Sequence, residues 1–156
     1  MKKFKNIIFD LGGVLFDYNR ADLYNALLYP EINPFKAIEV THLLLDQFYN
    51  KKDENGNSVY KLFVLSNWSK DSFNLLQRHY GHVFKVFNGV VISSDVGFKK
   101  PDKRIYQHLL DKYQLNSHES LFLDDQNENV VAASKFGITG IHCDKHNILE
   151  KIKNYI

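Results

Sequence analysis

The chain predicts an α/β domain with a mostly parallel sheet of about five strands and helices on both of its faces. Five short runs, 6–10, 61–66, 89–94, 120–124 and 138–143, are rich in Ile, Val, Leu and Phe and lack period-two alternation. Such runs are the mark of strands covered on both sides. Helical stretches separate them, and strand–helix alternation of this kind builds a parallel sheet with right-handed crossovers. The runs also end in chemically active residues, Asp10, Ser66 and the pair Asp124 and Asp125. In parallel sheets ligands bind beyond the carboxyl ends of the strands, so these residues are expected to share one site.

Each helix has its own signal. Residues 69–79 open with Ser69 and carry Asp71, both suited to a first turn. Residues 100–113 have Pro101 near the start and Ile105, Leu109, Leu110 and Tyr113 at helical spacing. Residues 126–136 stop before Gly137, a plausible C-terminal cap, and 146–155 closes the chain. Between the first two strands lie about fifty residues. A short helix is expected over 21–28, a break between Pro30 and Pro34, a longer crossover helix over 35–50, and a polar turn over 51–58 containing Asn55-Gly56.

Composition bounds the function. The 156 residues fit one domain, 1–156, and 44% hydrophobic with 24% charged residues is a globular mix. A net charge of +2 argues against a dedicated nucleic-acid binder. The lone Cys143 can form neither an intrachain disulfide nor a cysteine-based zinc site, and it is expected to be a small buried apolar residue in a reducing compartment. The seven histidines form no ligand pair on one helix face. Only Ile7, Ile8 and Phe9 follow the basic start before Asp10, too short an apolar run for a signal peptide or membrane span, so a cytoplasmic, membrane-free protein is expected.

Taken singly, the strand ends are ordinary. Asp10 before Gly12 and Gly13 reads as a turn, Ser66-Asn67 as a helix cap, Lys100 as a surface lysine and Asp125 as another cap. Taken together, in this order at successive junctions, they supply hard oxygens for Mg²⁺, a cation for an anionic substrate and a candidate nucleophile. Two adjacent acids at the end of an apolar strand also need a cation or proton to compensate them.

Four segments carry a resemblance: Phe9-Asp10-Leu11-Gly12-Gly13-Val14; Leu65-Ser66-Asn67; Lys100-Pro101 with Arg104-Ile105-Tyr106; and Phe122-Leu123-Asp124-Asp125 with Asn129 and Ala133. In these the chain resembles the haloacid dehalogenase-like (HAD) hydrolases, in the branch whose first motif reads Asp-Leu-Gly-Gly/Asn-Val. The resemblance implies a three-layer, Rossmann-like core and a Mg²⁺-dependent phosphohydrolase acting on a small phosphate monoester through an aspartyl-phosphate. It makes Asp10 the nucleophile. Asp10, the Gly12 carbonyl and Asp125 become Mg²⁺ ligands, with Asp124 a ligand or its support. Ser66 and the Asn67 N–H become the phosphate-binding pair, and Lys100 the neutralising cation. Anions must meet in such a reaction, and oriented donors and cations cancel the charge as it develops.

Two departures from the family pattern bear on function. The acid usually found two places after the nucleophile is replaced by Gly12, and a lost general acid costs about 10²–10⁴-fold. Sugar-1-phosphates and acyl phosphates, with good leaving groups, suffer least. Asp17 is the nearest substitute in sequence but reads as an exposed loop acid. The second departure is a reduced cap within the 18–58 insertion. One short helix cannot form a bundle, so an open site is expected, with Tyr18, Asn19, Arg20 and Tyr24 as candidates for its rim. Dehalogenation by Asp10 is the less favoured chemistry given the acid cluster. A weak or inactive relative that binds phosphate or a protein partner is the alternative.

Overall fold

The computed structural model describes residues 4–156. Five strands, β1 (Asn6–Phe9), β4 (Lys61–Ser66), β5 (Gly89–Ile92), β6 (Ser120–Asp124) and β7 (Thr139–His142), form one parallel sheet in the order β5-β4-β1-β6-β7. The lack of alternation has its cause in burial on both faces. Ile7, Phe9, Leu62, Val64, Leu121 and Leu123 point into one core with α2 (Glu39–Asn50), α3 (Lys70–Phe84) and α7 (Ile148–Ile152). Their neighbours Ile8, Phe63, Leu65 and Phe122 face the opposite core, built on α5 (Lys103–Tyr113) and α6 (Asn127–Ser134). The chain first winds from β1 to β4 and β5, then returns to the other side of β1 for β6 and β7. That reversal opens a crevice between the ends of β1 and β6, where Phe9 pairs with Leu123 and the next residues, Asp10 and Asp124, come side by side.

The insertion between β1 and β4 corrects one expectation. The helix anticipated over 35–50 begins only at Glu39. Its first residues form β3 (Phe35–Ala37), antiparallel to β2 (Phe16–Tyr18), with α1 (Arg20–Leu28) between the two strands. Pairing overrides helical periodicity because Phe35 is buried beside Tyr18 and Trp68, and the Asn33 side chain accepts the Phe35 N–H at 3.0 Å. The helix expected over 100–113 starts at Lys103, because the Asp102 carboxylate caps it by accepting the Arg104 N–H. Lys100 and Pro101, joined by a cis peptide bond, stay in the preceding loop. The strand expected over 89–94 stops at Ile92, where a single turn, α4 (Ser93–Val96), takes over and closes on Gly97 at φ 78°. The helix expected over 69–79 continues to Phe84, through a break at Tyr80. Among the described residues, no helix is long and apolar enough to cross a membrane.

Candidate active site

Beyond the ends of β1, β4 and β6 lies a cavity of about 180 Å³ lined by Asp10, Gly12, Tyr18, Ser66, Lys100 and Asp125 among others. The donors in it converge on a single oxygen. Asp10 Oδ1 accepts the Ser66 hydroxyl at 2.5 Å and the Leu11 N–H at 2.8 Å, and lies 3.0 Å from Lys100 Nζ. Among the described residues, no hydrogen bond reaches the other Asp10 oxygen. Ser66 is therefore no helix cap; Ser69 performs that task for α3, accepting the Ser72 N–H.

Lys100 is 3% exposed, a burial that a lysine sustains only when paired. Its ammonium also donates to Asp124 Oδ2 at 2.6 Å and to the Leu65 carbonyl at 2.9 Å, and sits 5.2 Å from the centre of the Phe122 ring. The side-chain amide of Asn67 grips the Lys100 backbone from both sides, accepting its N–H at 2.8 Å and donating to its carbonyl at 2.9 Å. Asn67 thereby fixes where the lysine stem starts, a role its sequence position did not announce.

The two adjacent acids have different environments. Asp124 is fully buried, with the Gln126 N–H and Asn129 amide on Oδ1 and Lys100 and Asn129 on Oδ2. Burial first, then the nearby Asp10 charge, pushes its carboxyl up against the opposing pull of Lys100. Asp125 has a buried Oδ1 with no hydrogen-bond partner, and it does not cap α6. Burial, then Asp10 and Asp124, pushes the Asp125 carboxyl up to about 6. Oxygens of Asp10, Asp124 and Asp125 all lie within 4.8 Å of one another. A partnerless buried oxygen in a cluster of three carboxylates fits a hard divalent cation, whose charge would remove the penalty that raises these pKa values.

The insertion reaches this cavity through one residue. Tyr18 lines it, with its ring 5.2 Å from Trp68 and 6.2 Å from Phe35. Burial and the Asp10 charge raise the Tyr18 phenol above its ordinary range. Asn19 is occupied as the cap of α1, Tyr24 is exposed, and among the described residues none from α1 lines the cavity. Instead α1 packs along α3, where Ala26 and Leu27 face Leu75 and Arg78 across a separate groove. Asp17 points elsewhere, pairing with Lys145 at 2.7 Å. Sequence reasoning missed Trp68, whose place directly after Ser66-Asn67 was the available signal. His142 is exposed, and its ring lies 3.0 Å from the Asp125 carbonyl. Cys143 is buried, its thiol pushed up to about 12 by burial, as an unreactive core residue would be.

The family model of haloacid dehalogenase-like hydrolases matches residues 53–142, more than half of the chain. The chain belongs to this family. It is 32% identical over 81 residues to the sesquiterpene phosphatase astK of Aspergillus oryzae, a match covering 52% of this chain and 41% of that protein. It is 41% identical over 77 residues, 49% of this chain, to acyl-CoA dehydrogenase family member 10 of Mus musculus, of which the match spans 7%. The chain thus matches less than half the length of these curated relatives. Among solved structures, a HAD family enzyme from Bacteroides thetaiotaomicron superposes with a TM-score of 0.71 at 16% identity, covering 96% of this chain and 99% of that one. A mutant of that enzyme in complex with magnesium and inorganic phosphate superposes with a TM-score of 0.70 at 16% identity, over 88% and 93% of the two chains. At this identity the likeness is one of fold.

Proposed function

We propose that the chain is a Mg²⁺-dependent phosphohydrolase that cleaves a small phosphate monoester through an aspartyl-phosphate on Asp10. The observation that carries this reading is the asymmetry of Asp10: one oxygen held by Ser66, Lys100 and the Leu11 N–H, beside an acid cluster with a partnerless oxygen on Asp125. Donors for a phosphoryl group and oxygens for a cation thus meet at one carboxylate. The phosphatase among its relatives and the magnesium–phosphate complex of its structural neighbour support the same chemistry.

In this reading Asp10, Asp125 and the Gly12 carbonyl hold the Mg²⁺, which supplies charge neutralisation of the phosphate oxygens. Asp124 has both oxygens engaged by protein donors and serves to orient Lys100. The Ser66 hydroxyl, the Asn67 N–H and the Lys100 ammonium are the donors that bind the phosphoryl oxygens. Ser66 and Lys100 leave Asp10 Oδ1 to do so, which frees that oxygen for in-line attack. Lys100 then sits between nucleophile and phosphoryl group and offsets the repulsion of two anions. With α1 lying along α3 rather than over the cavity, the 18–58 insertion acts as a reduced cap. A buried free thiol and no spanning helix among the described residues are compatible with a cytoplasmic setting.

The test is hydrolysis of p-nitrophenyl phosphate with and without Mg²⁺ by the parent chain and by Asp10→Asn. A Mg²⁺-dependent rate that disappears in the variant supports the reading. No rate in a folded parent that still binds Mg²⁺ overturns it in favour of a protein that binds phosphate without turnover.

A further inference from the structure

The proposed reaction needs a proton for the departing oxygen, and a census of the cavity leaves one source. The Lys100 ammonium donates to Asp124 and to the Leu65 carbonyl, and in the proposed function it turns from Asp10 to the phosphoryl oxygens, which leaves it no hydrogen for the departing oxygen. The Ser66 hydroxyl faces Asp10 on the phosphoryl side. Asn67, Trp68, Gln126 and Asn129 bring amides and an indole, which do not give up protons near neutral pH. Asp125 belongs to the cation. Tyr18 remains, and among the described residues its hydroxyl makes no hydrogen bond.

Its placement is specific. A Cβ built on Gly12 would lie 3.1 Å from Tyr18 Cε1 and 3.7 Å from its hydroxyl oxygen, so the phenol occupies the space that a side chain two places after Asp10 would enter. The ring is held there by Trp68 and by its strand partner Phe35, which pack on each other at 5.6 Å, while the residue remains 41% exposed. An in-line displacement sends the leaving group away from Asp10 into the cavity that Tyr18 also lines.

We propose that Tyr18 is the catalytic residue that protonates the leaving-group oxygen. This inference rests on the phosphohydrolase reading. Asp10 forms a bond to phosphorus, the ester P–O bond breaks with its electron pair on the leaving oxygen, and that oxygen takes the phenolic proton of Tyr18. In the second half, water adds to phosphorus, the aspartyl bond breaks to return the Asp10 carboxylate, and the water proton restores the phenol. An alkoxide is more basic than a phenolate, so the transfer runs downhill when the leaving group is an alcohol.

The experiment compares Tyr18→Phe with the parent on two substrates of similar shape, benzyl phosphate and p-nitrophenyl phosphate, in the presence of Mg²⁺. Phe keeps the ring that packs on Trp68 and Phe35. Loss of the proton donor lowers kcat/KM for benzyl phosphate by about 10²-fold or more. The loss for p-nitrophenyl phosphate, whose leaving group needs no proton, is smaller by at least about tenfold. Equal losses on both substrates, or none on benzyl phosphate, overturn the role of Tyr18 and leave the phosphohydrolase reading intact. A parent inactive on both overturns the two together.

Discussion

Lys100 Nζ lies 2.6 Å from Asp124 Oδ2, with both side chains sealed from solvent. The pair is what allows a lysine to stand beside the buried Asp10 carboxylate, because the same ammonium reaches it at 3.0 Å. Removing the cation leaves Asp10 and Asp124 buried side by side without compensation. Lys100→Met is therefore expected to destabilise the metal-free protein by about 3–5 kcal/mol, as breaking a buried ion pair does. Urea denaturation checks this, and an unchanged midpoint would mean that the lysine is not electrostatically engaged.

In the proposed function the pH dependence of Mg²⁺ binding follows from Asp125. Its carboxyl titrates at about 6 in the fold, above the ordinary value near 3.9. Between these values the folded chain holds a proton that the unfolded chain has lost, so the metal-free protein loses stability as pH rises from about 4 to 6 and levels off above. A Mg²⁺ ion held there would have to displace that proton below pH 6. Affinity is expected to fall as pH drops through 6, approaching about tenfold per unit for one proton displaced. Calorimetry in buffers of different ionisation enthalpy reads the proton directly.

The same raised value implies that the charged form of Asp125 is a burden on the metal-free fold. Asp125→Asn removes the charge at nearly constant shape, so its melting temperature at pH 7.5 without metal is expected to exceed the parent's. Added Mg²⁺ should raise the parent's melting temperature and leave the variant's where it is. A variant melting below the parent would show that Asp125 contributes to the fold beyond its charge.

Gly13 lies under Asp125. Its φ of 75° is one that L side chains rarely adopt, and a Cβ there would come within 2.2 Å of Asp125 Oδ2. Gly13→Ala is expected to cost about 1–3 kcal/mol of stability through the backbone alone. It also displaces Asp125, so Mg²⁺ affinity should fall more steeply than in a control such as Gly56→Ala, which shares the positive φ but meets nothing within 4 Å. Thermal melting with a Mg²⁺ titration separates the two effects.

The three central strands β1, β4 and β6 were legible because they are apolar runs buried on both faces, and the edge strands β5 and β7 because short Val/Ile-containing runs follow at helix-length spacing. β2 and β3 were not legible, since three-residue strands have no period to detect and Phe35 also fits the start of a helix. The residues of the candidate site were legible as a set, because Asp10, Ser66 and Asp124 stand at the ends of neighbouring strands of one sheet. Their division of labour was not: Asp124 and Asp125 are identical in sequence and differ only in what surrounds them.

The order of apolar runs and polar strand ends, with Gly12 where an acid would stand, is written in the sequence, because local periodicity and burial on two faces leave few other folds for it. Tertiary structure decided the rest. The register of Phe9 against Leu123 brought Asp10 beside Asp124. Asn67 grips the Lys100 backbone and Asn129 holds Asp124, while Asp125 keeps a buried carboxylate oxygen without a partner. The pairing of β2 with β3 carried Tyr18 to Gly12. The strand register, the Asn67 grip and the β2–β3 pairing join residues distant in sequence, and their energies come from packing and hydrogen-bond geometry rather than from any local propensity.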